Sequence, residues 1–408
     1  MSAEKGRWLL IPLSATVLLC LGTVYSWSIF RKPLEKLLNI NATESLLPFT
    51  VLLVLFAVLM PITGFYINRF GTRVVTAVGG VIMGLGYILS SFNSNLQMLT
   101  LTYGVIAGIG VGIAYGVPIA VVAKWFPDKK GIAVGLTVIG FGLSPLITAP
   151  LAKSLIDSYG VRQTFVILGL AFTAIILAIA TVLKTPPEDW KPAGWNPATS
   201  SQSNTSVTSL ETLLQTPAFY GLWLCYTIAT FSGLAAIGIS SPLAQEIIKL
   251  DAATAANTVS IFAVFNALGR LFFGWFTDRF SPKSGAIISF VLFLIASLMM
   301  LKSGEGTVAT YLVAFSLFYF SFGGWLAIAP TTTLILFSSA DYAKNYGIVF
   351  TAYGAGALGG TLLAGRIRDI FGSYTVFFYP TTALAILGII LAVFMLKRSF
   401  SNSNVAQV

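Results

Sequence analysis

Phe262-Ala-Val-Phe-Asn266-Ala-Leu-Gly-Arg270-Leu-Phe-Phe-Gly274-Trp-Phe-Thr-Asp278-Arg279-Phe280 holds one arginine inside an apolar run and ends on a polar turn. That turn has an earlier copy, Gly64-Phe-Tyr-Ile-Asn68-Arg69-Phe70, offset by 210 residues. Pro118 and Pro330, and Asp157 and Asp369, repeat at an offset of 212. Three echoes in one order with near-equal offsets predict an internal repeat of six helices.

Composition places the repeat in a bilayer. Charged residues are 9% of the chain and hydrophobic residues 56%, and mean hydropathy is +0.86; soluble domains average about 25% charged. Apolar runs of about 20 residues recur, each long enough for a hydrocarbon core roughly 30 Å thick. Continuous runs in lipid select helices, because each segment then satisfies its own backbone. The sequence therefore predicts an all-α membrane protein with 12 transmembrane helices in two pseudo-symmetric bundles. Their expected limits are 8–30, 45–67, 74–92, 97–123, 131–156, 163–183, 217–243, 254–276, 284–301, 307–338, 346–365 and 374–396. Residues 1–183 and 217–408 form the two bundles. Residues 184–216, with four prolines and a Ser/Thr/Asn-rich run, read as a flexible linker. Thr208-x-x-Glu211 near its end resembles a capping box.

Lysine and arginine set the orientation. Fourteen lie on the side that includes both termini and the linker, nine on the other, and one, Arg270, on neither. Both termini are thus expected in the cytoplasm, with the chain in the plasma (inner) membrane. The net charge of +10 follows from topology and does not call for nucleic acid. Cys20 and Cys225 fall in apolar runs and read as packing residues. No nucleotide-binding loop, metal-ligand cluster or histidine-based triad is present; neither enzymatic activity nor a cofactor is expected.

Arg270 stands eight residues from Asp278, roughly 12 Å deeper at 1.5 Å per residue. A cation there costs at least about 2.5–3.5 kcal/mol. By these helix limits no Asp or Glu shares its depth. The missing anion is then a substrate carboxylate, which a guanidinium grips through two parallel hydrogen bonds; satisfaction by backbone carbonyls and side-chain amides is the competing account. Asn266, one turn earlier on the same face, either orients Arg270, touches the ligand or bridges helices.

Gly274-x-x-x-Asp278-Arg279 and Gly64-x-x-x-Asn68-Arg69-x-Gly71-x-Arg73 resemble the loop signature of the major facilitator superfamily. Tyr25-Ser-Trp27-Ser-x-Phe30-x-x-Pro33, Tyr115-Gly116, Lys124-Trp125-Phe126-Pro127-Asp128-Lys129-Lys130-Gly131, Asn266-x-x-x-Arg270, Phe322-Gly323-Gly324 and Lys344-Asn345-Tyr346-Gly347 resemble, more closely, its oxalate:formate antiporter family. The monocarboxylate transporters are a more distant likeness. The resemblance implies alternating-access transport, with the helix-8 arginine binding the substrate carboxylate. It also implies a central cavity to which the helices bearing Tyr25, Tyr115, Phe322, Trp325 and Tyr353 contribute. Asn68 stands where the family usually has Asp, which weakens the implied charge relay.

Oxalate exchangers of that family add a helix-11 lysine, and the matching position here is Tyr353. One deep cation balances a monoanion, so lactate, pyruvate, formate or acetate is expected over oxalate, with the oxalate-type exchanger as the alternative. A sensor that binds a carboxylate without moving it is the alternative of another class. Animal monocarboxylate transporters carry Asp where Asn266 stands. Proton symport would need another acid, Glu246 or Asp251, or the substrate's own carboxyl; exchange needs none, and both stay open. The expected partners are a small carboxylate, lipid and, for symport, protons, and the chain is expected to be a monomer.

Gly104, Gly108, Gly112 and Gly116 read as a packing stripe. Gly347, Gly354, Gly356, Gly359 and Gly360 read as a packing and bending face. Gly140, Gly142 and Pro145 read as a bending element. Asn41-Ala-Thr43 and Asn204-Thr-Ser206 are accidental glycosylation sequons.

Overall fold

The computed structural model describes residues 6–187, 190–192, 210–337 and 342–396. The second sequon, Thr208 of the expected capping box and most of the expected flexible linker lie outside the described residues, as do the side chains of Glu211 and Lys344. The described chain is helical, in ten continuous stretches apolar enough to cross a membrane. Two of these, Ala42–Ser90 and Lys130–Ala180, run 49 and 51 residues, over twice the roughly 20 that a span needs. Each breaks at a glycine with positive φ, Gly71 at 78° and Gly160 at 79°, a conformation open to glycine at little cost. The chain reverses there, and ten stretches become twelve spans.

We label these α1 (Arg7–Leu38), α2 (42–70), α3 (72–90), α4 (Leu96–Trp125), α5 (130–159), α6 (161–180), α7 (Pro217–Ile248), α8 (Ala252–Arg279), α9 (Pro282–Leu301), α10 (Val308–Leu336), α11 (Tyr342–Phe371) and α12 (Thr375–Met395). The face where α1 begins is called near and the opposite one far.

Several limits differ from expectation by up to eight residues, the largest being the end of α1 at Leu38, because polar residues read as loop are caps or helical. Asn41 and Glu44 form a reciprocal capping box that starts α2 at Ala42. Asp251 accepts from the amides of Ala253 and Thr254, so α8 starts at Ala252. The expected α7 limit, 243, moves to Ile248 because a π-helical turn carries the helix past Pro242.

Without a hydrophobic force between helices in lipid, close packing rests on small residues. The α4 stripe seats on α2: a Cβ on Gly104, Gly108, Gly112 or Gly116 would meet Val51, Leu52, Leu59 or Thr63. The α11 glycines divide, Gly347, Gly354 and Gly365 facing α2, and Gly356, Gly359 and Gly360 facing α7. The halves meet along two seams, α2 with α11 and α5 with α8. Cys20 and Cys225 are buried and free.

Two details go beyond the expectation. Arg31, counted among the far-side ends, lies there but is fully buried and bonds Ser45, Gly238, Glu35, Ala42 and Tyr374. Gly140 and Gly142, expected with Pro145 to let α5 bend, lie here within helix that is continuous up to Gly160; both are also sites of close approach. A Cβ on Gly140 would collide with the Ala15 carbonyl.

Candidate functional site

Arg270 sits about two-thirds of the way along α8, 7% exposed, its guanidinium laid across the seam onto α5. Its Nε donates to Asn266 Oδ1 at 3.2 Å and its Nη1 to the Val138 carbonyl at 2.9 Å. Its Nη2 is buried without a hydrogen-bond partner among the described residues. No carboxylate among them lies within ion-pair distance. Asn266 spends its amide on Arg270 and, from Nδ2, on the Tyr319 carbonyl at 3.3 Å, which makes it the group that orients the arginine. Gly142 creates the room: a Cβ there would stand 2.6 Å from Asn266 Oδ1 and 3.1 Å from Arg270 Nε.

Aromatic rings close around this group. The α1 helix tightens to a 3-10 stretch at Gly22–Ser26, which carries Tyr25 to the α11 side. Its hydroxyl meets that of Tyr353 at 2.9 Å. Tyr25 and Tyr115 are both within electrostatic reach of Arg270. The Tyr115 hydroxyl approaches the guanidinium without closing a bond of good geometry. Phe141, between the two α5 glycines, stands edge-on to Tyr25 at 5.0 Å and to Tyr115 at 5.2 Å. Phe322 lies 5.9 Å from Tyr25 and 6.3 Å from Tyr353.

Trp325 is set apart; its ring contacts are Tyr226 and Phe290, behind the wall. Sequence reasoning missed Phe141, Phe56, Phe350 and Tyr226, which complete the enclosure. Aromatic residues are 13% of the chain, so no signal marks these few. Gly142 stands out in the sequence, but only its neighbours across the seam mark it as part of the site.

The far face is closed by polar contacts between the halves. Glu246 of α7 pairs with Lys32 of α1, and with Arg368 of α11 at 3.2 Å. Asp369 accepts from the Ala42 and Thr43 amides at 3.0 and 2.9 Å, and Ser28 meets Ser240 at 3.1 Å. The first sequon is engaged here, with Asn41 capping α2 and Thr43 bonded to Asp369. On the near face the repeated loops are exposed at Gly64, Asn68, Arg69, Gly71, Arg73, Asp278 and Arg279, with Gly274 half-buried. None of their charged groups forms an ion pair among the described residues.

Two acids outside the spans hold their charge. Hydrogen bonds from the side chain and amide of Thr254 keep the Asp251 carboxyl below its usual range, and the Arg7 hydrogen bond does so for Asp128. A lowered pKa leaves both ionised throughout the neutral range, so neither picks up a proton there.

The chain has relatives. An uncharacterized MFS-type transporter of Escherichia coli, YhjX, is 29% identical over 87% of each chain. The oxalate:formate antiporter of Oxalobacter formigenes is 29% identical over 96% of this chain and 92% of that one. Human monocarboxylate transporter 12 is 28% identical over 76% of this chain and 65% of that one. The backbone resembles a variant of the nucleoside transporter NupG, with a TM-score of 0.75 at 13% identity over 96% and 100% of the two chains. It also resembles an inward-facing bacterial homolog of the human lysosomal transporter Spinster, with a TM-score of 0.68 at 15% identity over 96% of each. The Major Facilitator Superfamily model matches residues 13–256 and 222–407; with twelve helices in two halves and these relatives, the chain is a transporter of the Major Facilitator Superfamily.

Proposed function

We propose that this transporter moves small monocarboxylate anions by alternating access, with Arg270 clamping the carboxylate. The observation that carries this is the partnerless Nη2 of a buried arginine with no acid beside it among the described residues. Arg31 differs: that arginine is also buried but is matched by Glu35 at 3.2 Å. Arg270 holds two neutral acceptors and keeps its charge for an anion that comes and goes. Around it, the hydroxyls of Tyr25 and Tyr115 offer donors, and Phe141 and Phe322 offer apolar walls for a short tail.

The charge count favours a monoanion. Tyr353, tied to Tyr25, stands at the position that the family resemblance gives to a second cation. An oxalate-type exchanger is the second reading, supported by the relative named for that exchange. A counterflow competition in proteoliposomes separates them: lactate, pyruvate or formate displaces labelled substrate better than oxalate does. Stronger displacement by oxalate would overturn the charge count. In the same assay Tyr353→Lys shifts the oxalate-to-lactate preference at least about ten-fold toward oxalate, since one added charged hydrogen bond contributes about 1.5–3 kcal/mol.

Coupling follows from the acids. Asn266 cannot titrate, and Asp251 stays ionised. These residues favour exchange or facilitated uptake over proton symport, and counterflow at two external pH values tests it. The contacts that close the far face, beside unpaired near-face loops, support a state turned to the near side. By the lysine and arginine distribution that side is the cytoplasm, with the chain a monomer in the inner membrane.

A further inference from the structure

The two seams between the halves are related by the internal repeat, yet they are not equally closed at the far face. On the α2–α11 seam, Asp369 seals the start of α2 through two amides and the Thr43 hydroxyl. Gly365 packs on the Thr43 backbone, and deeper, the Thr50 and Thr361 hydroxyls bond. The repeat partner of Asp369 is Asp157, and that of α2's start is α8's. The matching seal is not made: Asp251 takes the Ala253 and Thr254 amides itself at 3.0 Å, and Asp157 turns to Lys153 on its own helix. A cavity of about 270 Å³ occupies the gap, lined by Pro150, Lys153, Asp157, Ala253, Ala256 and Asn257 among others. Below it, the Ser260 hydroxyl donates to the Pro145 carbonyl at 3.2 Å, and the next polar contact across this seam is Arg270 on Val138.

We propose that this cavity is the far-face vestibule for the anion, and that the route to Arg270 opens along the α5–α8 seam while α2–α11 serves as the hinge side. The inference rests on the reading of the chain as an alternating-access carrier. The path has one hydroxyl–carbonyl bond to release, where the paired seam has an aspartate cap, a glycine contact and a hydroxyl pair. It also ends on the arginine, since both walls of the vestibule continue into the helices that hold the guanidinium.

Ser260 and Thr50 lie at equal distance, nine residues, from the caps Asp251 and Asn41, so they probe the two seams at one depth. Ser260→Cys and Thr50→Cys are treated with a sulfonated methanethiosulfonate supplied to both faces of vesicles during counterflow, with the unaltered chain as the control for buried Cys20 and Cys225. The Ser260→Cys thiol reacts at least about ten-fold faster, and its modification stops transport. Equal rates, or faster reaction at Thr50→Cys, overturn the proposal. Should Ser260→Cys fail to insert, Asn257→Cys and Thr43→Cys replace the pair: modification at the vestibule blocks transport and modification at Thr43→Cys does not. Full transport by labelled Asn257→Cys overturns it as well. Labelling rates read access and not cargo, so this result stands apart from the identity of the substrate.

Discussion

Arg270→Gln inserts at the level of the unaltered chain and loses at least about 100-fold of its carboxylate counterflow. The glutamine amide ends about where the arginine Nε stands, so Asn266 retains a hydrogen-bonding neighbour, while the Val138 carbonyl loses the Nη1 donor. What disappears is the cation and its planar fork. A charged hydrogen bond contributes about 1.5–3 kcal/mol, and a bidentate grip has two, so about 3–6 kcal/mol of substrate binding goes with the guanidinium. At 1.4 kcal/mol per factor of ten, that is at least two orders of magnitude. Removing the charge also lifts an insertion cost of about 2.5–3.5 kcal/mol, so loss of folded protein is not the expected cause. Arg270→Lys separates charge from geometry: it restores part of the transport, because an ammonium remains but cannot form the two-pronged pair. Counterflow by Arg270→Gln above about a tenth of the normal rate would remove the clamp from the mechanism.

Gly142→Ala is expected to reduce transport by about 10–100-fold per inserted molecule, without reducing the amount inserted. The added methyl carbon would stand 2.6 Å from Asn266 Oδ1 and 3.2 Å from Arg270 Cζ, inside the distance that carbon and oxygen tolerate. Asn266 has little freedom to withdraw, since Arg270 and the Tyr319 carbonyl hold its two ends. The guanidinium must therefore leave its seat, and a displacement of about 1 Å in a positioning contact is enough for a loss near 100-fold. Gly140→Ala is the informative contrast. There the new carbon would meet the Ala15 backbone, so α1 and α5 are forced apart and less protein reaches the folded state. Normal counterflow by Gly142→Ala would show that the α5 surface does not position Arg270.

These two glycines show where a linear reading stops. Gly-x-Gly within a membrane helix is compatible with bending and with close approach alike, and only the neighbour across the gap distinguishes them. Phe141 illustrates the same limit. It touches Tyr25, Tyr115 and Phe56, yet one phenylalanine among 31 has nothing in its local sequence to mark it. Trp325 is the opposite case, a residue drawn in by resemblance whose ring packs on Tyr226 and Phe290. The position of Arg31 near a far-side helix end says nothing of the pocket that α2, α7 and Tyr374 build around it.

By itself the sequence determined twelve apolar spans, the six-helix repeat and the one arginine that no neighbouring acid along the chain balances. Those properties are local or periodic: hydropathy over about 20 residues, a recurring turn, a charge at a depth set by the helical rise. The tertiary structure alone decided which surfaces meet. It laid Arg270 across Gly142 with Nη2 unpartnered among the described residues, joined Tyr25 to Tyr353 from opposite halves, and sealed one far seam with Asp369 while leaving a cavity in the other. Contacts between helices more than a hundred residues apart depend on packing shape and on polar groups finding partners, and neither is written in the order of residues along one helix.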